Sequence, residues 1–214
     1  MADRGIIFSA PMVRALLDGR KTQTRRLINP QPETFSIDAD GTPCEVGCLH
    51  VQGDPRPRIF LGNVLTAQAL PHARGDRLYV RESWSHTWQG VWDVATARRA
   101  GPAGVIYMAD GPKPGAKYWP SIHMPREFSR LTLLVTDVRV QRLQDISEAD
   151  AIAEGVDAVS LADVPRQATM SRRADFAALW NSLHTEPGTR WEDNLWIYAV
   201  TFEVKHGNID QGER

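Results

Sequence analysis

Hydrophobic and polar positions along this chain recur with two periods, and together they predict short strands interleaved with short helices. The strongest strand signal is Leu131–Val140. Leu131, Leu133 and Val135 share one face, the alternation slips by one residue, and Val138 and Val140 then continue it. A slip of one residue would turn every later side chain to the other face, so it predicts a bulge or a barrel corner. Trp196–Val204 alternates as a closing strand. Gly75-Asp76 is a turn signal ahead of Arg77–Glu82, where Leu78 and Val80 alternate with charge. Helical spacing appears at Phe176, Leu179, Trp180 and Leu183, which fall at i, i+3, i+4 and i+7. Ser147 and Asp150 form a capping-box pattern that opens a helix closing at Gly155. At the N-terminus, Gly5–Phe8 predicts a strand. Ser9 then caps a helix with Pro11 in its first turn, Leu16 and Leu17 on its inner face and Gly19 as its stop.

Two stretches break the pattern. From Asn29 to about Arg58 the chain is punctuated by Pro30, Pro32, Pro43, Pro55 and Pro57 and by Gly41, Gly47 and Gly53. Such punctuation predicts an irregular insertion spanning about 29–74. A second, at about 85–125, surrounds a short strand at Val105–Met108. Long loops in compact domains commonly serve as lids. The expected organisation is one α+β domain over 1–206 with a tail at 207–214. Slipping strands and a few short flanking helices point to a small mixed β-barrel.

Composition sharpens the picture in one respect. The 214 residues carry 25 Lys+Arg and 26 Asp+Glu, a net charge of −1, which argues against a generic coat for polyanions. That neutral total conceals segregation: residues 1–30 hold a net +4, and residues 137–163 a net −5. The two segments could face each other across a cleft or form ordinary solvated faces. Of the basic residues 21 are Arg and 4 are Lys, an excess that base composition of the coding sequence accounts for. The N-terminal residues do not read as a signal peptide. The longest uncharged stretch, Ile59–Ala73, is too short and too polar to cross a bilayer. A cytoplasmic protein with no membrane partner is expected.

The densest polar constellation is Gly19-Arg20-Lys21-Thr22-Gln23-Thr24-Arg25-Arg26. On a strand, Lys21, Gln23 and Arg25 would point one way, and Thr22, Thr24 and Arg26 the other. Curvature, a bulge or the helix–strand junction could still bring Lys21 and Thr24 together. The bland alternative is a solvated basic edge strand. Cys44, Cys48 and His50, with His72 as a fourth donor, have the chemistry of a zinc site, but their spacing is unlike the standard pairs and no metal or other cofactor is expected. Trp84, Trp88 and Trp92 recur every fourth residue, as a core or loop anchor or as a base-stacking platform. Trp119 and His123, near Arg126, are candidates to line a pocket. Glu82, at a strand end, is a candidate cleft carboxylate.

Gly19-x-Lys21-x-x-x-x-Arg26, following a strand and a short helix ending in Leu-x-Gly, resembles the signature of ASCH domains of the PUA-like barrel superfamily. Gly75-Asp76-Arg77-Leu78, the Leu131–Val140 strand, the acidic helix at Ile146–Val156 and the closing strand fit the same picture. Arg81-Glu82-Ser83-Trp84 and Ser121–Arg126 resemble the longer members found in phage and prophage genomes. The resemblance implies a PUA-like β-barrel and a nucleoside or RNA ligand. The motif Gly-Arg-Lys-Thr-x-Thr-x-Arg is similar to that of bacterial amidohydrolases that remove the acyl group from N-acetylcytidine with a Lys, a Thr and a Glu. This implies catalytic roles for Lys21, Thr24 and Glu154, with Glu148 as the competing acid. Arg26, Gly19, Glu82 and Trp84 are then expected around the substrate. A Thr hydroxyl needs a base to take its proton, and a lysine serves once burial or a neighbouring cation lowers its pKa. The alternatives are a non-catalytic RNA-binding module and a phage accessory protein.

Overall fold

The computed structural model describes residues 3–31, 46–49, 58–61, 64–88, 90–156 and 171–211. The N-terminal segment folds as its pattern predicts, with strand β1 (Asp3–Ile7), helix α1 (Ala10–Leu17) and strand β2 (Gln23–Leu27). Ser9 occupies the N-cap position of α1 in an extended conformation but makes no side-chain capping hydrogen bond, and Pro11 sits in the first turn, where a missing N–H is harmless. The expected irregular insertion contains regular structure: β3 (Val46–Leu49), β4 (Arg58–Leu61) and β5 (Val64–Ala69) form an antiparallel three-stranded sheet. Their short length and their Gly and Pro flanks concealed them in the pattern. Cys44 and His50, two of the residues with zinc-donor chemistry, lie outside the described residues, as does the side chain of Cys48. Beyond the sheet come β6 (Arg77–Arg81), β7 (Trp84–His86), helix α2 (Val94–Ala100) and β8 (Val105–Tyr107), the last at the short strand expected inside the second insertion. The chain closes with β9 (Leu131–Arg142), helices α3 (Glu148–Ala153) and α4 (Arg172–Leu183), and β10 (Trp196–His206).

The main sheet runs β1-β6-β9-β10-β2. Only β1 and β6 are parallel. The predicted slip in β9 is a bulge: Asp137 faces Thr201 and Val135 faces Phe202, leaving Thr136 as the extra residue. Leu131, Leu133 and Val135 before it, and Val138 after it, are therefore all buried. In β10 the simple alternation gives way to five consecutive buried residues, Trp196–Val200. This strand lies between β9 and β2 and is covered on both faces.

The α+β class holds, whereas the expected closed barrel does not form among the described residues. The strands β1 and β2 are the edges of an open sheet. The sheet nevertheless curls far enough that the Arg26 guanidinium on β2 donates to the Ile7 carbonyl at the end of β1, at 2.7 Å. One side chain thus spans the seam that strand pairing would close in a barrel. The main core lies inside the curl. A smaller cluster of Trp84, Ala97, Met124 and Phe128 sits apart from it.

Candidate active site

The seam opens into a cavity of about 290 Å³, lined by Phe8 and Met12 beside β1 and by Lys21, Thr24, Arg25 and Arg26 around β2. Glu154 lies at its base, and Phe176, Leu179, Trp180, Leu183 and His184 form the wall contributed by α4. Three local features aim these groups.

The first is the end of α1. Gly19 has φ +70°, the left-handed conformation that stops a helix, and the amides of Arg20 and Lys21 both turn back to the Ala15 carbonyl. Lys21 is therefore at a helix–strand junction, two residues ahead of β2, and is not bound by the strand alternation. The second is the end of α3. Ser147 Oγ accepts from the Asp150 amide, as the capping pattern predicts, and the helix ends at Glu154. Gly155 follows at φ +79°. A Cβ there would lie 3.1 Å from the Cβ atoms of both Ala15 and Lys21, so only glycine lets α3 come this close. The third is a backbone tie from the Thr22 amide to the Ala153 carbonyl, at 2.8 Å.

The result is a buried ionic cluster. Lys21 Nζ donates to Glu154 Oε2 at 2.8 Å, to the Glu154 carbonyl at 2.9 Å and to the Gln23 carbonyl at 2.8 Å, which engages all three of its protons. The Arg25 Nη1 donates to Glu154 Oε1 at 3.1 Å and to Gln23 Oε1 at 2.6 Å, while its Nη2 lies 3.2 Å from Asp150 Oδ2. Lys21, Arg25, Glu154 and Asp150 form a set with two charges of each sign. Burial pulls the Lys21 ammonium below the ordinary lysine range, against the attraction of Glu154, and the charges of Arg26 and Arg25 add to the lowering. Thr24 is buried beside this cluster, and its hydroxyl makes no hydrogen bond among the described residues. Above the polar floor, aromatic rings of Phe8, Phe176 and Trp180 share the walls with aliphatic side chains. The charges of Lys21 and Arg26 lie 5.5 and 5.3 Å from the Phe8 ring, and Arg25 lies 5.8 Å from Phe176.

Lys21, Thr24, Glu154 and Arg26 thus share one cavity. Glu148, the competing acid, is turned away: its carboxylate accepts from Ser171 Oγ and the Arg172 amide, both at 2.6 Å, at the start of α4. Three residues expected around the substrate do not line the cavity. Gly19 is exposed and works as the helix stop. Glu82 is held by Arg130, at 2.9 and 3.1 Å, and Trp84 is fully buried in the smaller core. Trp88 and Trp92 are exposed ahead of α2 and continue no helical stripe. Arg126 pairs with Asp3 and Asp210.

The sequence pattern did not single out Phe8 or His184 as site residues. The i, i+4 spacing of Trp180 and His184 was the available signal, because it stacks two flat rings on one helix face. No protein-family model matches the chain, and neither does any curated protein or solved structure.

Proposed function

We propose that this protein is an amidohydrolase of the ASCH type, built on a PUA-like scaffold, that removes the acyl group from the exocyclic amine of an acylated cytidine-type nucleoside. The observation that carries this reading is the convergence of Lys21, Thr24 and Glu154 on the floor of one aromatic-walled cavity. The cavity volume, just below the range of about 300–1,000 Å³ for small-molecule sites, suits one nucleoside and not a run of nucleotides. Aromatic walls suit a flat heterocycle.

Lys21 starts as an ammonium held by Glu154. A ligand that fills the cavity excludes water, which favours transfer of one proton from Nζ to the Glu154 carboxylate and leaves a neutral pair. The freed amine takes the Thr24 hydroxyl proton as Oγ bonds to the acyl carbon. The carbonyl oxygen becomes an oxyanion facing Arg26, which is tethered to Ile7 with N–H groups to spare. Collapse breaks the C–N bond, and the departing amine recovers its proton from Lys21. Water then hydrolyses the Thr24 ester by the same base, releasing the carboxylic acid.

The RNA-binding alternative needs cations presented to phosphates. Lys21 and Arg25 are turned inward into ion pairs, which weighs against it. The test is turnover of N4-acetylcytidine and of a short RNA bearing the same group, at low and high salt. Hydrolysis of the free nucleoside with little salt dependence is expected. Binding of RNA without turnover, falling steeply with salt, would overturn the reading.

A further inference from the structure

The wall contributed by α4 carries a group that the chemistry above does not use. His184 lines the cavity, and its ring stacks on Trp180 with centroids 4.0 Å apart and planes 13° from parallel. Its Nδ1 lies 3.0 Å from the Trp180 carbonyl, which also accepts from the His184 amide at 2.9 Å. A carbonyl oxygen only accepts, so Nδ1 carries the hydrogen, and the neutral ring keeps its lone pair at Nε2. That nitrogen makes no hydrogen bond among the described residues. Trp180 is in turn fixed through its indole N–H to the Thr189 carbonyl, at 2.9 Å, so the stack is anchored at both rings.

The cavity is polarised along its depth. Lys21, Glu154 and Thr24 at the floor are 1%, 3% and 4% exposed, whereas Leu183, next to His184, is 58% exposed. The reacting amide belongs at the floor. A nucleoside so placed has its base between the aromatic walls and its sugar at the open end, beside His184. We infer that His184 is a specificity-determining residue whose Nε2 accepts a hydrogen bond from a ribose hydroxyl, distinguishing a nucleoside from a free base. The inference rests on the nucleoside reading of the same cavity.

Binding of two unreactive ligands, cytidine and cytosine, to the wild type and to His184→Phe tests it by calorimetry. Phenylalanine keeps the flat ring against Trp180 and removes the acceptor. Loss of one neutral hydrogen bond corresponds to a weakening of about 3- to 10-fold. The expected result is that loss for cytidine with cytosine affinity unchanged, and His184→Gln, which restores an acceptor, recovering part of it. In hydrolysis of N4-acetylcytidine, His184→Phe should raise KM and leave kcat within twofold. Equal weakening of both ligands would make His184 a packing residue and overturn the inference, as would unchanged affinity for both. Wild-type protein that binds neither ligand would overturn the nucleoside reading itself, and this inference with it.

Discussion

Glu154 and Glu82 are both buried, at 3% and 1% exposure, and both are held by an arginine, yet the two regions around them differ in what lies beyond the ion pair. Around Glu82 the polar groups that hold it are engaged with one another. Arg130 grips both carboxylate oxygens, reaches Asp110 at 2.8 Å and lies 3.9 Å from the Tyr107 ring, whose hydroxyl donates to the Phe128 carbonyl. Burial raises the Glu82 pKa and Arg130 opposes the shift. Around Glu154 a second cation of lowered pKa shares the carboxylate, an unbonded hydroxyl sits beside it, and a cavity opens above. A buried carboxylate–arginine pair is therefore no mark of a site by itself. The mark is the pair together with an unengaged nucleophile and room for a ligand.

The most severe way to break this comparison is to remove one cation from each region. Lys21→Met and Arg130→Met should each destabilise the fold by about 3–5 kcal/mol, the cost of stranding a buried charge, with Lys21→Met at the lower end because Arg25 still holds Glu154. Turnover of N4-acetylcytidine should separate them: a loss of about 10³-fold or more for Lys21→Met, and less than about twofold in the folded fraction of Arg130→Met. Equal losses of specific activity would erase the distinction.

A third buried group sharpens the comparison because one of its ring nitrogens has no hydrogen-bond partner among the described residues. The His72 ring is buried against Tyr198, and its Nδ1 makes no hydrogen bond among the described residues. Burial, assisted by the charges of Arg4 and Arg26 and opposed by Asp76, pushes its pKa down from 6.5 to about 4. Between those values the unfolded chain holds a proton that the folded chain excludes. The stability is present in full above pH 6.5 and is lost as pH falls towards 4, by about 3 kcal/mol in all. Chemical denaturation at pH 7, 5.5 and 4 should show this loss, and His72→Gln should reduce it.

Smaller effects should follow from the approach of α3 to Lys21. Gly155→Ala adds a Cβ at a left-handed position, 3.1 Å from Lys21 Cβ. A cost of about 1–2 kcal/mol is expected, measured by thermal unfolding. A several-fold fall in kcat should accompany it. Gly19→Ala meets no atom within 4 Å, so it should pay only the backbone cost of about 1 kcal/mol and leave kcat unchanged.

How far the sequence could be read depended on the range of the interaction. The bulge in β9, the Ser147 cap, the Gly155 stop and the helix of α4 rest on neighbouring residues and were legible. The parallel pairing of β1 with β6 joins residues more than seventy positions apart and leaves no local periodicity. The sheet of β3, β4 and β5 was hidden by its glycines and prolines. At the site, motif spacing brought Lys21, Thr24 and Glu154 into consideration together. It could not tell Glu154 from Glu148, since both lie on one acidic helix, nor exclude Glu82, whose arginine comes from a distant strand end. The role of Arg25 depends on its side chain meeting Glu154 across the fold, which no strand alternation encodes.

The central claim is that the Thr24 hydroxyl is a nucleophile left unengaged for a substrate. Thr24→Val replaces that hydroxyl by a methyl group of similar shape at a position where it bonds to no described residue. The rate of cytidine release from N4-acetylcytidine by wild type and Thr24→Val, at matched folded fraction, is the most direct measurement. The account predicts hydrolysis by the wild type and a loss of at least about 10³-fold in Thr24→Val, with stability changed by no more than about 1 kcal/mol. Hydrolysis by Thr24→Val at the wild-type rate would contradict it.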